Sequence, residues 1–279
     1  MSRLLTSCAC LLLCVCGCAR STPQQTAHSR ASLVVEQSAA TPGSRGNLGI
    51  RFVTDTGWHI YWQNPGDSGE PPRTQWKLPA GVTIGALEWP TPMRLSTAVG
   101  TDYGYQGTTV LFSSLQIPAT AQPGNIEVGL DLRWLACHDV CIPQHTRLKT
   151  PLRIANAASI HYSAHQILQS AAERLPKPLP PSYRPMATIL PNSFLLTFVS
   201  SEPITKAEFF PAEVEQIENS APQELASHGK NKSLTLKKSQ YFRQEPQSLK
   251  GVLVINGRDA YQVDAPIQSS IKIRRSHQK

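Results

Sequence analysis

From Ala31 onward, apolar side chains recur at every second position in short runs, and Pro or Gly punctuates most of the gaps. Residues 47–53 set Leu48, Ile50 and Phe52 on one face and Gly49, Arg51 and Val53 on the other. Residues 57–62 set Trp58, Ile60 and Trp62 against His59 and Tyr61, and Ile126, Val128, Leu130, Leu132 and Trp134 form an unbroken alternating face. A period of two is what a half-buried strand requires. Further runs lie at 32–37, 74–78, 82–89, 108–117 and 145–154, while 64–72 reads as a loop on turn chemistry. Roughly eight short strands in about 120 residues predict an antiparallel sandwich.

Asn156 is a candidate helix cap, and Ile160, Ala164, Ile167, Leu168, Ala171 and Leu175 fall at helical spacing. Pro176, Pro178, Pro180, Pro181 and Pro185 then stop the helix and make a semi-rigid linker. Strands are expected next at 193–199, 204–210, 233–237, 249–255 and 260–264, with Asn256-Gly257 a hairpin turn between the last two. The expectation is an all-β protein of two sandwich domains, 31–155 and 186–268, joined by a short helix and Pro-rich linker over 156–185. The second domain holds no cysteine and reads as a structural or docking module.

Composition narrows the class. With 16% charged residues the chain is neither a coiled coil nor a disordered polyelectrolyte. Past the first 19 residues no apolar run approaches the ~20 residues of a spanning helix. The net charge of +8 includes Lys272, Arg274, Arg275 and Lys279 in a tail over 269–279. No aromatic platform interleaves with that tail, so it reads as a solvated end and no nucleic acid is expected as a partner.

Of seven cysteines, Cys8, Cys10, Cys14, Cys16 and Cys18 lie in the first 18 residues. Arg3, an apolar stretch over 4–15 and the small residues Gly17 and Ala19 read as a secretory signal. Val15-Cys16-Gly17-Cys18 resembles a bacterial lipobox, which would make Cys18 the lipidated first residue of the mature chain; cleavage after Ala19 is the alternative. Membrane contact would then be by lipid anchor only. The expected location is the periplasm, where a cysteine pair can persist as a disulfide.

The mature chain keeps one such pair, Cys137 and Cys141, in Trp134-Leu135-Ala136-Cys137-His138-Asp139-Val140-Cys141-Ile142-Pro143. Three readings compete. A structural disulfide would close only a five-residue ring, and entropic stabilisation grows with loop size. A metal site of Cys137, Cys141 and His145 could hold Cu(I) through soft thiolates, although no Met-rich segment supports it. A redox-active dithiol fits a short, easily strained ring, since strained or exposed disulfides are the readily reduced kind. His138 beside the sulfurs would lower a thiol pKa, and Asp139 would act against it. Sulfur chemistry favours the dithiol, which requires no bound cofactor, and leaves copper binding or delivery as the rival. Asp67 and Glu70 are weaker candidates for an acid–base pair.

A resemblance adds to this. The run Gly57-Trp58-His59-Ile60-Tyr61-Trp62-Gln63-Asn64-Pro65-Gly66-Asp67-Ser68-Gly69 resembles the N-terminal periplasmic region of DsbD/ScsB-type thiol:disulfide interchange proteins. So, in order, do Trp76-Lys77-Leu78-Pro79-Ala80-Gly81-Val82, Tyr103-Gly104-Tyr105-Gln106-Gly107 and residues 134–143. The likeness spans 31–155 and continues more weakly through Phe209-Phe210-Pro211 and Gly251-Val252-Leu253-Val254. It implies an immunoglobulin-like sandwich whose dithiol relays electrons. They would come from a membrane-embedded reductase through a thioredoxin-like domain and pass to oxidised periplasmic proteins. It implies that Cys141 forms the mixed disulfides and Cys137 resolves them. A covering loop maps to 94–106, with Tyr103 and Tyr105 as shields of the sulfurs; a place in the core is the other reading of both. The best-known DsbD proteins space these cysteines more widely, which puts the turn nearer the ScsB branch. Those proteins also continue into membrane helices and a thioredoxin-like domain, so a separate redox partner is expected for a chain ending at Lys279.

Overall fold

The computed structural model describes residues 27–268; the export signal, Cys18 and the basic tail lie outside the described residues. The N-terminal body begins with β1 (Ser29–Val35), β2 (Gln37–Ala40), β3 (Arg45–Thr54), β4 (His59–Gly66), β5 (Arg73–Lys77) and β6 (Thr83–Ile84). It continues with β7 (Met93–Thr97), β8 (Gly100–Gln106), β9 (Thr108–Gln116), β10 (Gly124–Cys137), β11 (Cys141–Ile154) and β12 (Ser159–Ile160). One sheet runs β1-β3-β9-β6, the other β12-β2-β11-β10-β4-β8-β7, with β5 also paired to β10. The alternation becomes burial between them: Ile50 and Phe52 of β3 meet Leu130, Leu132 and Trp134 of β10. Trp134 donates its indole N–H to Ser29 Oγ at 2.7 Å, so its polar atom is satisfied inside the core.

The helix α1 (Tyr162–Ala172) starts after His161, not at Asn156. The chain first runs through β12, which pairs with β2 and leaves Ile160 exposed. Leu168 and Ala171 then pack on Val34 and Val110, which covers the outer face of the first sandwich.

The second body comprises β13 (Lys177–Pro178), β14 (Met186–Ile189), β15 (Ser193–Val199), β16 (Ala207–Pro211), β17 (Glu224–His228), β18 (Asn231–Lys237), β19 (Ser248–Ile255) and β20 (Asp259–Gln268). β16-β19-β20 forms one half and β14-β15-β18-β17 the other, linked where the end of β20 pairs with β14. Phe194, Leu196, Phe209, Leu234, Leu236 and Leu253 fill the space between. The Pro-rich segment is not a free spacer: Lys177 and Pro178 pair with β20, and Leu179 and Tyr183 pack against this core.

The two bodies share apolar and polar contacts. Successive residues of β16 point opposite ways, Phe209 into its own core and Phe210 into the core of the first body, against Trp62 and Tyr103. Asn64 lies on β4, in a stretch expected to be loop, and is buried. Its amide donates to Pro211 O at 2.8 Å and Glu213 O at 3.1 Å. Asn219 accepts from the Tyr103 hydroxyl at 3.0 Å and donates to Asp67 at 2.7 Å.

Candidate functional site: a disulfide under a hairpin

β10 carries its core residues at even positions through Ala136, which puts Cys137 on the opposite, outer face. The β10–β11 ladder runs past the strand ends expected at Leu135 and His145 and pairs Cys137 directly with Cys141. Directly opposed residues stand on one face, so the sulfurs meet, and they are bonded. The turn between them, His138-Asp139-Val140, is closed by His138 N–H donating to Val140 O at 3.1 Å.

On its other side Cys137 pairs with His59 of β4, and His59 with Gln106 of β8. Cys141, Cys137, His59 and Gln106 therefore form one row across four strands. Two residues along β4, Tyr61 shares that face. Its hydroxyl lies 3.5 Å from Cys141 Sγ and 3.4 Å from Asp102 Oδ2. Asp102 is buried and accepts from Ser68 N–H at 3.0 Å and Ser68 Oγ at 2.8 Å. Burial raises the Tyr61 pKa, Ser68 opposes the rise and the Asp102 charge adds to it, so Tyr61 keeps its proton at neutral pH. Gly69, at φ +71°, leaves room for the Tyr61 ring, which any Cβ there would strike.

The β7–β8 hairpin overhangs this row. Ala98 and Val99 at its tip line a cavity of about 640 Å³ together with His59, Tyr61, Cys137 and Cys141. Val99 (71%) at the hairpin tip and Val140 (62%) in the turn between the cysteines are exposed apolar side chains. Cys141 is exposed, whereas Cys137 is only 1% exposed.

Segment 94–106 is thus a hairpin rather than a loop, and its tyrosines do not cover the sulfurs. Tyr103 and Tyr105 alternate onto the core face with Ile60 and Trp62. Tyr103 bonds to Asn219 and Tyr105 donates to Pro90 O at 2.7 Å. The tyrosine beside a sulfur is Tyr61. His138 and Asp139 are exposed and pair at 2.9 Å; the His138 ring tilts against Trp58, itself stacked on His28. His145 is not brought to the sulfurs. It binds Asp131 at 2.9 Å and lies four residues along β11 from Cys141, about 13 Å at the rise of a strand. His145 and Arg147 hold the Asp131 carboxyl below its ordinary pKa. Among the described residues no group of three His, Cys, Asp or Glu is placed to hold a metal ion. Asp67 accepts from Thr101 N–H at 2.7 Å and from Asn219, and Glu70 pairs with Arg73 at the surface.

His59, Tyr61, Ser68 and Asp102 were not among the residues the sequence singled out for this site. The signal for two of them was present: the alternation that turns Ile60 and Trp62 inward turns His59 and Tyr61 to the face of the sulfurs.

Residues 30–153 match the family described as thiol:disulfide interchange protein DsbD, N-terminal. The N-terminal periplasmic domain of ScsB from Proteus mirabilis shares the fold at a TM-score of 0.64 and 15% identity, over 88% of this chain and 96% of that one. The reduced N-terminal domain of Neisseria meningitidis DsbD aligns at 15% identity over 46% of this chain and 90% of its own, with a TM-score of 0.21 that is too low to support an argument. No curated protein sequence matches the chain. Among the described residues no helix is long and apolar enough to cross a membrane. The sequence match covers the body that carries both cysteines, and the fold match extends through the second body. Residues 30–153 thus match the family model of the DsbD N-terminal region, and the chain shares the fold of the ScsB periplasmic domain through both bodies.

Proposed function

We propose that this protein exchanges disulfides with other proteins in the periplasm through Cys137 and Cys141. The asymmetry of the two sulfurs carries the reading: one is exposed beneath an apolar-tipped hairpin, and its partner is buried behind it. Exchange proceeds by attack of a thiolate on a disulfide sulfur, and access decides which sulfur is attacked. Cys141 is the sulfur an incoming protein reaches, so it forms the mixed disulfide. Cys137 leaves when the pair is reduced and returns as resolving nucleophile when a client is reduced. His138 and Asp139, in the turn between the sulfurs, set the local charge at the mouth. No bound cofactor enters the exchange. Electrons come from a thioredoxin-like or membrane-embedded disulfide reductase and pass to oxidised periplasmic proteins, while lipidation at Cys18 would tether the protein beside such a reductase.

The test is trapping. A Cys137→Ala variant should accumulate a mixed disulfide through Cys141 with a thioredoxin-like protein, and Cys141→Ala should accumulate none. Equal trapping by both variants, or an oxidised protein that resists thioredoxin and dithiothreitol alike, would overturn the assignment.

A further inference from the structure

We infer that His59 carries the proton of Cys137, a role that rests on the exchange reading above. Each turnover requires that buried sulfur to change protonation state. It leaves as a thiolate when the disulfide is reduced, and it must be a thiolate to resolve a mixed disulfide. Burial disfavours the charged form of a thiol, and Cys137 is only 1% exposed. A neighbouring side chain that gives and takes the proton would ease each of these steps.

His59 is placed to do so. It is the ladder partner of Cys137 across β10 and β4, which puts the two Cβ atoms on one face about 4.5–5.5 Å apart. His59 is 4% exposed, and its Nε2 is buried without a hydrogen-bond partner. Buried polar atoms are nearly always paired, so an orphan imidazole nitrogen on a residue that lines one cavity with both sulfurs calls for a role. Asp102 Oδ2 stands 3.7 Å from that nitrogen, too far for a hydrogen bond but close enough to offset the charge of an imidazolium. An imidazole can act as general base in one direction and as general acid in the other. The groups facing His59 are Cys137 and Cys141 from the β10–β11 hairpin, Tyr61 from its own strand and Asp102 from β8. Arg94, His138 and Asp139 line the same cavity at its rim. Tyr61 retains its proton and serves the Cys141 side.

In the resolving step, the Cys137 S–H proton passes to His59 Nε2 and the Cys137 thiolate attacks Cys141 Sγ. The Cys137–Cys141 bond forms and the bond from Cys141 to the client sulfur breaks. The client sulfur departs with the electron pair and takes a proton from solvent, which completes a two-electron reduction of the client disulfide. Reduction of the protein's own disulfide runs the same path backwards.

The test uses reduced full-length protein and the small disulfide 5,5′-dithiobis(2-nitrobenzoate). The first equivalent of chromophore reports attack by Cys141 and the second reports resolution by Cys137. His59→Gln should leave the first phase within about twofold of wild type and slow the second at pH 7 at least tenfold, a threshold set below the ~100-fold at which general acid–base effects typically begin. The pH profile of the wild-type second phase should carry an inflection that His59→Gln loses, the variant rising with pH as an unassisted thiol does. Equal slowing of both phases, an unchanged second phase, or a wild-type profile without the inflection each overturns the role; the last needs no variant. A missing first phase in wild type would instead sink the exchange reading itself.

Discussion

Replacing Phe210 with alanine is expected to separate two bodies that otherwise unfold together. The side chain belongs to the second body, yet its ring packs edge-on against Tyr103 at 5.2 Å and Trp62 at 6.4 Å in the first. It is 2% exposed, and truncating such a phenylalanine costs about 3–5 kcal/mol. The upper half of that range applies, because the ladder pairing Phe210 with Val252 holds the backbone and keeps the gap from collapsing. For a protein of this size ~2–4 °C of Tm is lost per kcal/mol, so the midpoint should fall by roughly 8–20 °C. The assay follows from where the probes lie. Trp58, Trp62, Trp76, Trp89 and Trp134 all belong to the first body, so tryptophan fluorescence watches that body alone while far-UV circular dichroism watches both. In wild type the two melting curves should coincide. In Phe210→Ala both should move down and part. Phe209→Ala, which empties the second body's own core, should lower both together. A fluorescence midpoint that Phe210→Ala leaves within about 2 °C of wild type would refute the shared-core reasoning, as would wild-type curves that already diverge.

Three further outcomes follow from the same contacts. Asn64→Leu strands the Pro211 and Glu213 carbonyls at about 1–3 kcal/mol each; urea unfolding should show the loss, and it should fall short of additivity with Phe210→Ala because both act on one interface. Tyr61→Phe removes the hydroxyl beside Cys141 Sγ while Asp102 keeps Ser68, so the pH profile of iodoacetamide alkylation at Cys141 should move upward with little change in Tm. An unmoved profile would show that Tyr61 does not stabilise the thiolate. Burial raises the pKa values of Tyr61, Tyr103 and Tyr105 above the ~10 of an unfolded chain. Their contribution is intact below pH ~10 and is lost as the pH climbs from there through the folded values, because the unfolded state sheds protons that the native state keeps. Their phenolate absorbance should therefore appear together with loss of near-ultraviolet dichroism, and full tyrosine ionisation in a still-folded protein would contradict it.

The sandwich of the first body was legible because β3 and β10 bury one clean face each, and a period-two pattern survives any tertiary context that keeps that face covered. The cysteine hairpin was legible for a different reason: two cysteines with three residues between them at the end of such a strand leave few partners but each other. Where the pattern failed, backbone pairing had replaced side-chain burial as the cause of structure. β17 is exposed along almost its whole length and is a strand because β18 supplies its hydrogen bonds. β12 spends Ser159 and Ile160 on an edge pairing and so delays the helix past Asn156. The segment 94–106 resembles a loop in composition, with Gly100 and Gly104 breaking its alternation. Gly104 lies so close to the Ile60 carbonyl that no Cβ would fit, which is why the residue is there.

The polar half of the site was hidden for a further reason. An outward-facing position on a strand normally meets water, so His59, Tyr61 and Asp102 carry no mark in the sequence of being buried. They are buried because the β7–β8 hairpin folds across the outer face, and that hairpin is held from the second body. Arg94 at its root pairs with Glu208 at 3.5 Å, and Asp67, which accepts from Thr101 N–H, is itself gripped by Asn219 and Ser220. Its tip, by contrast, carries Val99 bare to solvent. The second body thus holds both strands of the hairpin, β7 through Arg94 and β8 through the Asp67 contact to Thr101. A body that supplies no sulfur still shapes the site, because these contacts place the hairpin whose tip lines the cavity beside Cys141.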